Sequence, residues 1–393
     1  MQGKQGTMIK KTYIFNAEIM SARYSIICAI LLVVSLLSSC RSHSSHNGSI
    51  IHLHYASYLR MQQHDGYVSA DIINPWDTTR TLHKYILVGK KSPLPSPMPE
   101  GTLVRTPLRH TIIYSSVHCS LLGEWGKLNC IAGVCDLKYI MMPSMHKLFQ
   151  EGKIADIGNS MTPDAEKMIE NNPDAILLSP YKDNGGYGKL DKSGIPIIEC
   201  ADYMETSPLG RAEWMKFYGM LYGCESQADS MFEKIEKEYL SYKSTALRTK
   251  VKTRPTVFAD MKSGATWMIP GGNSTIGIFL HDAGAKYLFA DHTESGSISI
   301  SPEEVLDRCH HADFWLIKYN NETTLNYGSL VSLDPIYSQF DAVNRHKVFC
   351  CNTGMVPFYE DAPFHPERLL KDLINIFHPE ILKDYKSKYY TAL

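Results

Sequence analysis

Residues 207–244, "SPLGRAEWMKFYGMLYGCESQADSMFEKIEKEYLSYKS", constrain this chain more than any other stretch. No β-type run interrupts them. Apolar side chains recur at Trp214, Phe217 and Leu221, then at Ala228, Met231, Ile235 and Tyr239, which is the spacing of one helical face. Gly223 divides the stretch into a shorter and a longer helix. On either side the pattern changes. "HTIIYSS", "CIAGVC", "DAILLSP" and "IPIIEC" read as short strands before it. They alternate with helices in "VHCSLLGEWG", "TPDAEKMIENN" (Thr162 as cap, Pro163 in the first turn) and "GKLDKSG". After Arg254-Pro255 the strands are "TVFADM", "DFWLIKY" and "KVFCCN", separated by helices and closed by "FHPERLLKDLINIFHPEIL". Strand and helix in strict alternation form α/β units with mostly parallel sheets. The expected architecture is two α/β lobes joined by a long rigid helix. A ligand cleft then lies between the lobes, at the C-terminal ends of the strands.

The two halves echo each other. "MTPDAEKMIENNPDAILLSPY" and "ISPEEVLDRCHHADFWLIKY" each read as cap, helix, Asp, apolar strand, Tyr. Ahead of the first lobe, residues 50–92 alternate apolar and polar side chains. Turn signals at His64-Asp65-Gly66 and Asn74-Pro75 make this an extra N-terminal β-hairpin or a small antiparallel unit. "SPLPSPMPEG" follows as a stiff connector. The beginning of the chain carries Lys10, Lys11 and Arg23, then an apolar run from Ile26 to Leu37, then "LSSC" ending at Cys40. That is the layout of a secretory signal, and the run is too short to span a bilayer. The division is therefore 1–39 signal peptide, 40–105 tether and hairpin, 106–205 first lobe, 206–248 helical connector and 249–393 second lobe.

The formal net charge is −1. The leader holds four basic residues and one acidic, so the chain after it stands at −4, with no basic surplus to hold nucleic acid. Ten cysteines occur; Cys28 leaves with the leader, and the eight beyond Cys40 form no CxxC pair. Buried free thiols are expected, with Cys119 and Cys135 as the one pair that strand ends could bring close.

"WMIPGGNSTIGIFLHDAGAKYLF" invites a phosphate-loop reading, but it has no Gly-Lys-Ser/Thr ending and no GxGxxG. Its glycines instead allow a turn, with Asn273 or Ser274 capping the next helix. No GxSxG elbow occurs, so a secreted α/β hydrolase built on Ser115 or Ser116 with His118 and Asp136 is disfavoured. No HExxH occurs, and a receptor for a free divalent ion would have only His118 and Asp136 as early ligands. No resident cofactor and no catalytic residue is expected. Aromatic residues at strand ends are the stronger signal: Trp267, Tyr139, Tyr181, Tyr319, Phe358 and Tyr359 offer rigid area to a large planar or greasy ligand. Asp136 and Lys182 add polar groups at the same loops.

The lipobox-like "LSSC" resembles that of bacterial lipoproteins, which implies lipid on Cys40 and a membrane-anchored protein facing the periplasm. "GNSMTPDAEKMIENNPDAILLSP", "WMIPGGNSTIGIFLHDAGAKYLFAD" and "SISPEEVLDRCHHADFWLI" together resemble the periplasmic substrate-binding proteins of ABC transporters, of the cobalamin and iron–siderophore type, over roughly residues 105–378. The resemblance implies a monomer whose lobes close little, and a metal chelate or corrinoid as ligand. It also implies a permease dimer as partner, met by one exposed carboxylate on each lobe. Those positions are Glu166, eight residues before Asp174, and Glu303, with Glu304 as rival because it suits a capping box with Ser301.

Overall fold

The computed structural model describes residues 48–183, 185–249 and 254–393. The signal segment and Cys40 lie outside the described residues. Each lobe is organised around an aspartate just ahead of a strand. Asp174 Oδ2 accepts the Arg109 backbone N–H at 2.7 Å, tying the start of β9 (Ala175–Leu178) to the start of β6 (Thr111–Ile113). Asp313 Oδ2 does the same for the Thr256 N–H at 2.8 Å, tying β16 (Phe314–Tyr319) to β11 (Thr256–Ala259). The internal echo in the sequence is thus a repeated structural device. A carboxylate satisfies a strand-end N–H that the parallel ladder leaves free.

The first-lobe sheet has the order β10-β9-β6-β7-β8, with β7 Ile131–Val134, β8 Ala155–Asp156 and β10 Ile197–Glu199. Every pairing in it is parallel. The chain runs outward from β6 through β7 to β8, then returns to the other side for β9 and β10. The order therefore reverses between β6 and β9, where a crevice opens at the strands' C-terminal ends. The second-lobe sheet has the order β14-β11-β16-β17-β18, parallel except for the last pair (β14 Lys286–Tyr287, β17 Val348–Asn352, β18 Thr391–Ala392). Beside it lies a three-stranded antiparallel sheet, β12-β13-β15, from Lys262–Ser263, Thr266–Pro270 and Ser297–Ile300.

The connector is helical, as its periodicity requires. Helices Pro208–Glu213 and Met215–Tyr222 end at Gly223, which adopts the left-handed conformation at φ 66°. Glu225–Arg248 then runs 24 residues, about 36 Å at 1.5 Å per residue. It buries Ala228, Phe232, Ile235, Tyr239 and Ala246 on one face. The eight cysteines after Cys40 are all buried and free.

Two local expectations are corrected. The N-terminal extension is a five-stranded sheet, β1-β2-β3-β4-β5, rather than a single hairpin. Its strands are Ser49–Ile51, Leu59–His64, Tyr67–Ile73, Thr81–Gly89 and Thr102–Thr106. The Pro-rich segment is the crossover that lets β5 pair parallel to β4. In the first-lobe helix the cap is Asp164, which accepts the Lys167 N–H, and not Thr162. Before the helix Thr275–Asp282, Ser274 is the cap, as one of the two expected candidates. The glycines ahead of it serve close approach: a Cβ at Gly271 would stand 2.2 Å from the Glu294 carbonyl, and one at Gly272 2.4 Å from that of Ala290.

The extension is fastened to the rest through buried carboxylates. Glu213 accepts the N–H groups of His54, Tyr55 and Ala56 at 2.8–3.0 Å. Glu205 accepts those of Ser57 and Tyr58 and the Trp214 indole. Tyr85, fully buried on β4, donates to the Ile197 carbonyl at 2.9 Å and accepts the Glu199 N–H at 2.8 Å. A side chain thus covers the open edge of β10.

Behind the lobes, His365 joins Glu124 of the first-lobe helix at 2.8 Å to Glu367 at 3.2 Å. Burial alone would lower the imidazole pKa. The hydrogen bonds and charges of the two glutamates outweigh it and raise the pKa to about 8. A pKa raised on folding adds stability that is complete below the unfolded value near 6.5 and is lost as pH rises through about 8. The shift is worth about 2 kcal/mol. Urea unfolding should therefore show the native protein losing about that much more stability than His365→Gln between roughly pH 6 and 9.

Candidate functional site

A cavity of about 930 Å³ lies between the lobes at the C-terminal ends of both parallel sheets. Its first-lobe wall follows the switch point. Tyr114 to Ser116 follow β6, Cys135 and Asp136 follow β7, and Leu178 ends β9 with Ser179 and Tyr181 after it. Its second-lobe wall is Asn320 after β16, then Thr353 to Glu360 after β17.

Short-range contacts hold these loops. Asp136 sits in the left-handed region at φ 51° and accepts the Ser160 N–H at 3.3 Å, so two first-lobe loops are tied together. Tyr203 donates to the Pro180 carbonyl behind Tyr181. Across the cleft, Asn352 bridges the two second-lobe loops. Its oxygen accepts from Asn321 and Gly354, and its amide donates to the carbonyls of Asn321 and Thr323. Glu360 crosses from the second lobe and accepts the Met141 N–H of the first at 2.6 Å. Burial pushes its carboxyl pKa up, and the Met141 hydrogen bond only partly opposes that. Burial also pushes the Cys135 thiol up to about 12, so it stays protonated and is a poor metal ligand.

Five of the residues expected at the site do line it: Asp136, Tyr139, Tyr181, Phe358 and Tyr359. Tyr139, Tyr181 and Tyr359 are more than half exposed, as is Met161 beside them. Apolar surface on this scale stays exposed where something else covers it.

Three expectations fail. Trp267 is 0% exposed and packs against Phe258, Trp315, Tyr337 and Phe340 at ring distances of 5.6–6.1 Å. Its indole donates to the Ala259 carbonyl. Residues 266–270 form strand β13, whose alternation turns Trp267 inward and Met268 outward. Tyr319 does not line the cleft: its hydroxyl accepts the Leu325 N–H, and the next residue, Asn320, takes the lining position. Lys182 is exposed and does not line the cavity, although Tyr181 does. The reading from sequence missed Tyr114, Met161, Tyr187 and Glu360. Glu360 was visible beside Tyr359 in "PFYED", but nothing in its spacing signals a contact across lobes.

His118 is buried against Asp202 at 3.2 Å, and Asp202 also meets Arg211 and the Tyr218 hydroxyl. This is a structural network, not a catalytic set with Asp136. Two groupings of possible metal ligands occur among the described residues, Glu124–Asp361–His365 and His310–His311–Asp341. Neither lines the cleft, and an arginine pairs with the aspartate in each. Glu166 is exposed and paired with Lys189 at 2.5 Å. Glu303 is exposed at the start of helix Pro302–Cys309. Ser301 caps this helix through the Glu304 N–H, and the Glu304 carboxylate lies 3.9 Å from Arg308. No helix among the described residues is long and apolar enough to cross a membrane.

Known proteins resemble the chain at the level of this architecture. An uncharacterized lipoprotein of Methanocaldococcus jannaschii is 27% identical over 86% of the chain and 84% of its own length. A TroA-like periplasmic binding protein, FepB, from Veillonella parvula superposes with a TM-score of 0.56 at 18% identity, over 75% of this chain and 97% of that one. A periplasmic heme binding protein from Pseudomonas aeruginosa gives 0.55 at 15%, over 72% and 97%. These structures share the two-lobed α/β fold and are solute-binding proteins, not enzymes. The periplasmic binding protein family matches residues 132–353, more than half the chain and part of each wall of the cleft, and the chain belongs to that family.

Proposed function

We propose that this protein captures a metal chelate or corrinoid (a ferric siderophore, a cobalamin or a haem-like ligand) and delivers it to an ABC importer. The observation that carries the reading is the cleft's lining: aromatic rings and methionine around about 930 Å³, with no cluster of metal ligands among its described residues. A bare divalent ion needs several converging carboxylates, imidazoles or thiolates, whereas a chelate brings its own ligands and needs shaped apolar walls. Periplasmic relatives with iron-, hydroxamate- and heme-related descriptions support the class of ligand. A thermal-shift screen tests it. A chelate or corrinoid at about 100 times its Kd should add about 2.7 kcal/mol of stability, and free Zn²⁺ or Mn²⁺ should add none. Stabilisation by the bare ions alone would reverse the choice.

Under the same proposal the protein lies outside the cytoplasm, anchored by lipid on Cys40, and docks a permease dimer through Glu166 and Glu303. Both carboxylates stand exposed on matching helices of the two lobes. Lys189 holds Glu166 only through an exposed ion pair, which is weak and exchangeable. Glu166→Lys with Glu303→Lys should abolish ligand uptake by cells while ligand affinity stays within about twofold. Normal uptake by that double variant would end the docking assignment.

A further inference from the structure

We propose that the cleft selects chelates with no net negative charge, of the neutral or cationic trihydroxamate kind, an inference that rests on the chelate-binding reading above. Among the described lining residues the only carboxyl groups are those of Asp136 and Glu360, and the only Lys or Arg is Lys138. With Glu360 ionised the lining carries one net negative charge. With Glu360 protonated, the direction in which its burial pushes it, the lining is neutral. In neither state do the lining side chains present net positive charge to an anionic ligand.

The remaining surface points the same way. Tyr114, Tyr139, Tyr181, Tyr187, Phe358 and Tyr359 surround the cavity, and the face of an aromatic ring attracts cations and repels anions. Lys138 already shows this preference: its ammonium rests 4.6 Å from the Tyr139 ring centre.

Nearby basic groups do not reverse the balance. Lys318 lies 5.6 Å from the Phe358 ring and is not itself part of the lining. Lys182 lies outside the lining and is followed by Asp183. Helix Ser116–Glu124 starts at the cleft, and its N-terminus offers roughly half a positive charge. That partial charge is smaller than either carboxylate.

A trianionic tricatecholate chelate would bring three negative charges to this wall with no guanidinium to meet them. A neutral or cationic trihydroxamate would meet ring faces, hydroxyls and Asp136. Repulsion between like charges in a partly enclosed cleft is enough to order ligands of similar size.

The test is a binding titration of the full-length protein, in detergent, with four probes: ferrioxamine B (cationic), ferrichrome (neutral), ferric enterobactin (trianionic) and haem, whose propionates are anionic. The expected result is binding of one or both hydroxamates, with ferric enterobactin at least about a hundredfold weaker. Asp136→Asn keeps a residue that tolerates the left-handed backbone, and should weaken ferrioxamine B about fivefold more than ferrichrome. Ferric enterobactin or haem as the tightest ligand overturns the charge assignment and leaves chelate capture standing. An equal loss for both hydroxamates in Asp136→Asn also overturns the charge assignment. Binding of none of the four overturns the proposal, and binding of none of the four nor of a cobalamin overturns the capture reading beneath it as well.

Discussion

Trp267→Ala should lower the unfolding free energy by about 4 kcal/mol, the range for truncating a buried tryptophan, and should leave ligand affinity in the folded fraction unchanged. The indole is fully enclosed by four aromatic rings from β11, β16 and the segment 337–340, and it holds the three-stranded sheet to the second-lobe sheet. Its removal leaves a large cavity whose walls are rigid rings that close poorly over it, so both the lost transfer energy and the cavity term apply. Urea unfolding should show a lower midpoint with an unchanged slope. A loss below about 1 kcal/mol combined with a large fall in affinity would return Trp267 to the cleft wall.

Trp267 also shows where the sequence stops being informative. Its stretch carries glycines and a capping serine, so it reads as a turn with the tryptophan at its rim. Two register partners decide otherwise. β13 pairs with both β12 and β15, and the latter begins thirty residues downstream of Trp267. A non-local pairing of that kind leaves no local periodicity to detect, and five residues are too few for alternation to be distinguished from chance. Tyr319 fails for a related reason. Strand side chains alternate by one residue, so placing the strand correctly still leaves the facing of its last residue open by one position. Asn320 and not Tyr319 faces the ligand space.

The lobes themselves were legible because their signals are local. Apolar runs of four to six residues, caps at Ser274 and Ser301, and the helical stripe of the connector each lie within a dozen residues. The aspartates at 174 and 313 were visible as an echo. Their role was not, because the N–H groups they satisfy, at Arg109 and Thr256, lie 65 and 57 residues away in sequence. The cleft was legible as a location, since a switch point follows from strand order. Its chemistry was legible only in part. The aromatic residues at strand ends were found, whereas Glu360 acts through a contact with Met141 that spans 219 residues.

The N-terminal sheet is where the two kinds of signal separate most. Its strands were readable by alternation, but its attachment depends on Glu205, just ahead of the connector, and on Glu213 within it, and neither stands out from its neighbours in the sequence. Glu213 is 0% exposed, and its two oxygens accept three consecutive backbone N–H groups, with Lys216 at 3.6 Å as its only cation. Three donors in a row point at one place only if the chain there is held out of any ladder. Residues 54–56 accordingly fall between β1 and β2 and pair with no strand. Glu213→Ala strands those donors. At roughly 1–3 kcal/mol for each buried unsatisfied group, less whatever water recovers, the loss should be on the order of 4 kcal/mol. Glu213→Gln keeps one acceptor oxygen and exchanges the other for a donor that faces N–H groups, so about half of that loss should remain. Because Glu205 and Tyr85 fasten the same sheet to the same lobe, the extension and the first lobe should unfold together, in one transition for each variant. A Glu213→Ala protein within about 1 kcal/mol of the parent, or one whose residues 48–106 become protease-sensitive while the lobes keep their melting temperature, would show that the sheet is an appendage and not part of the first-lobe core.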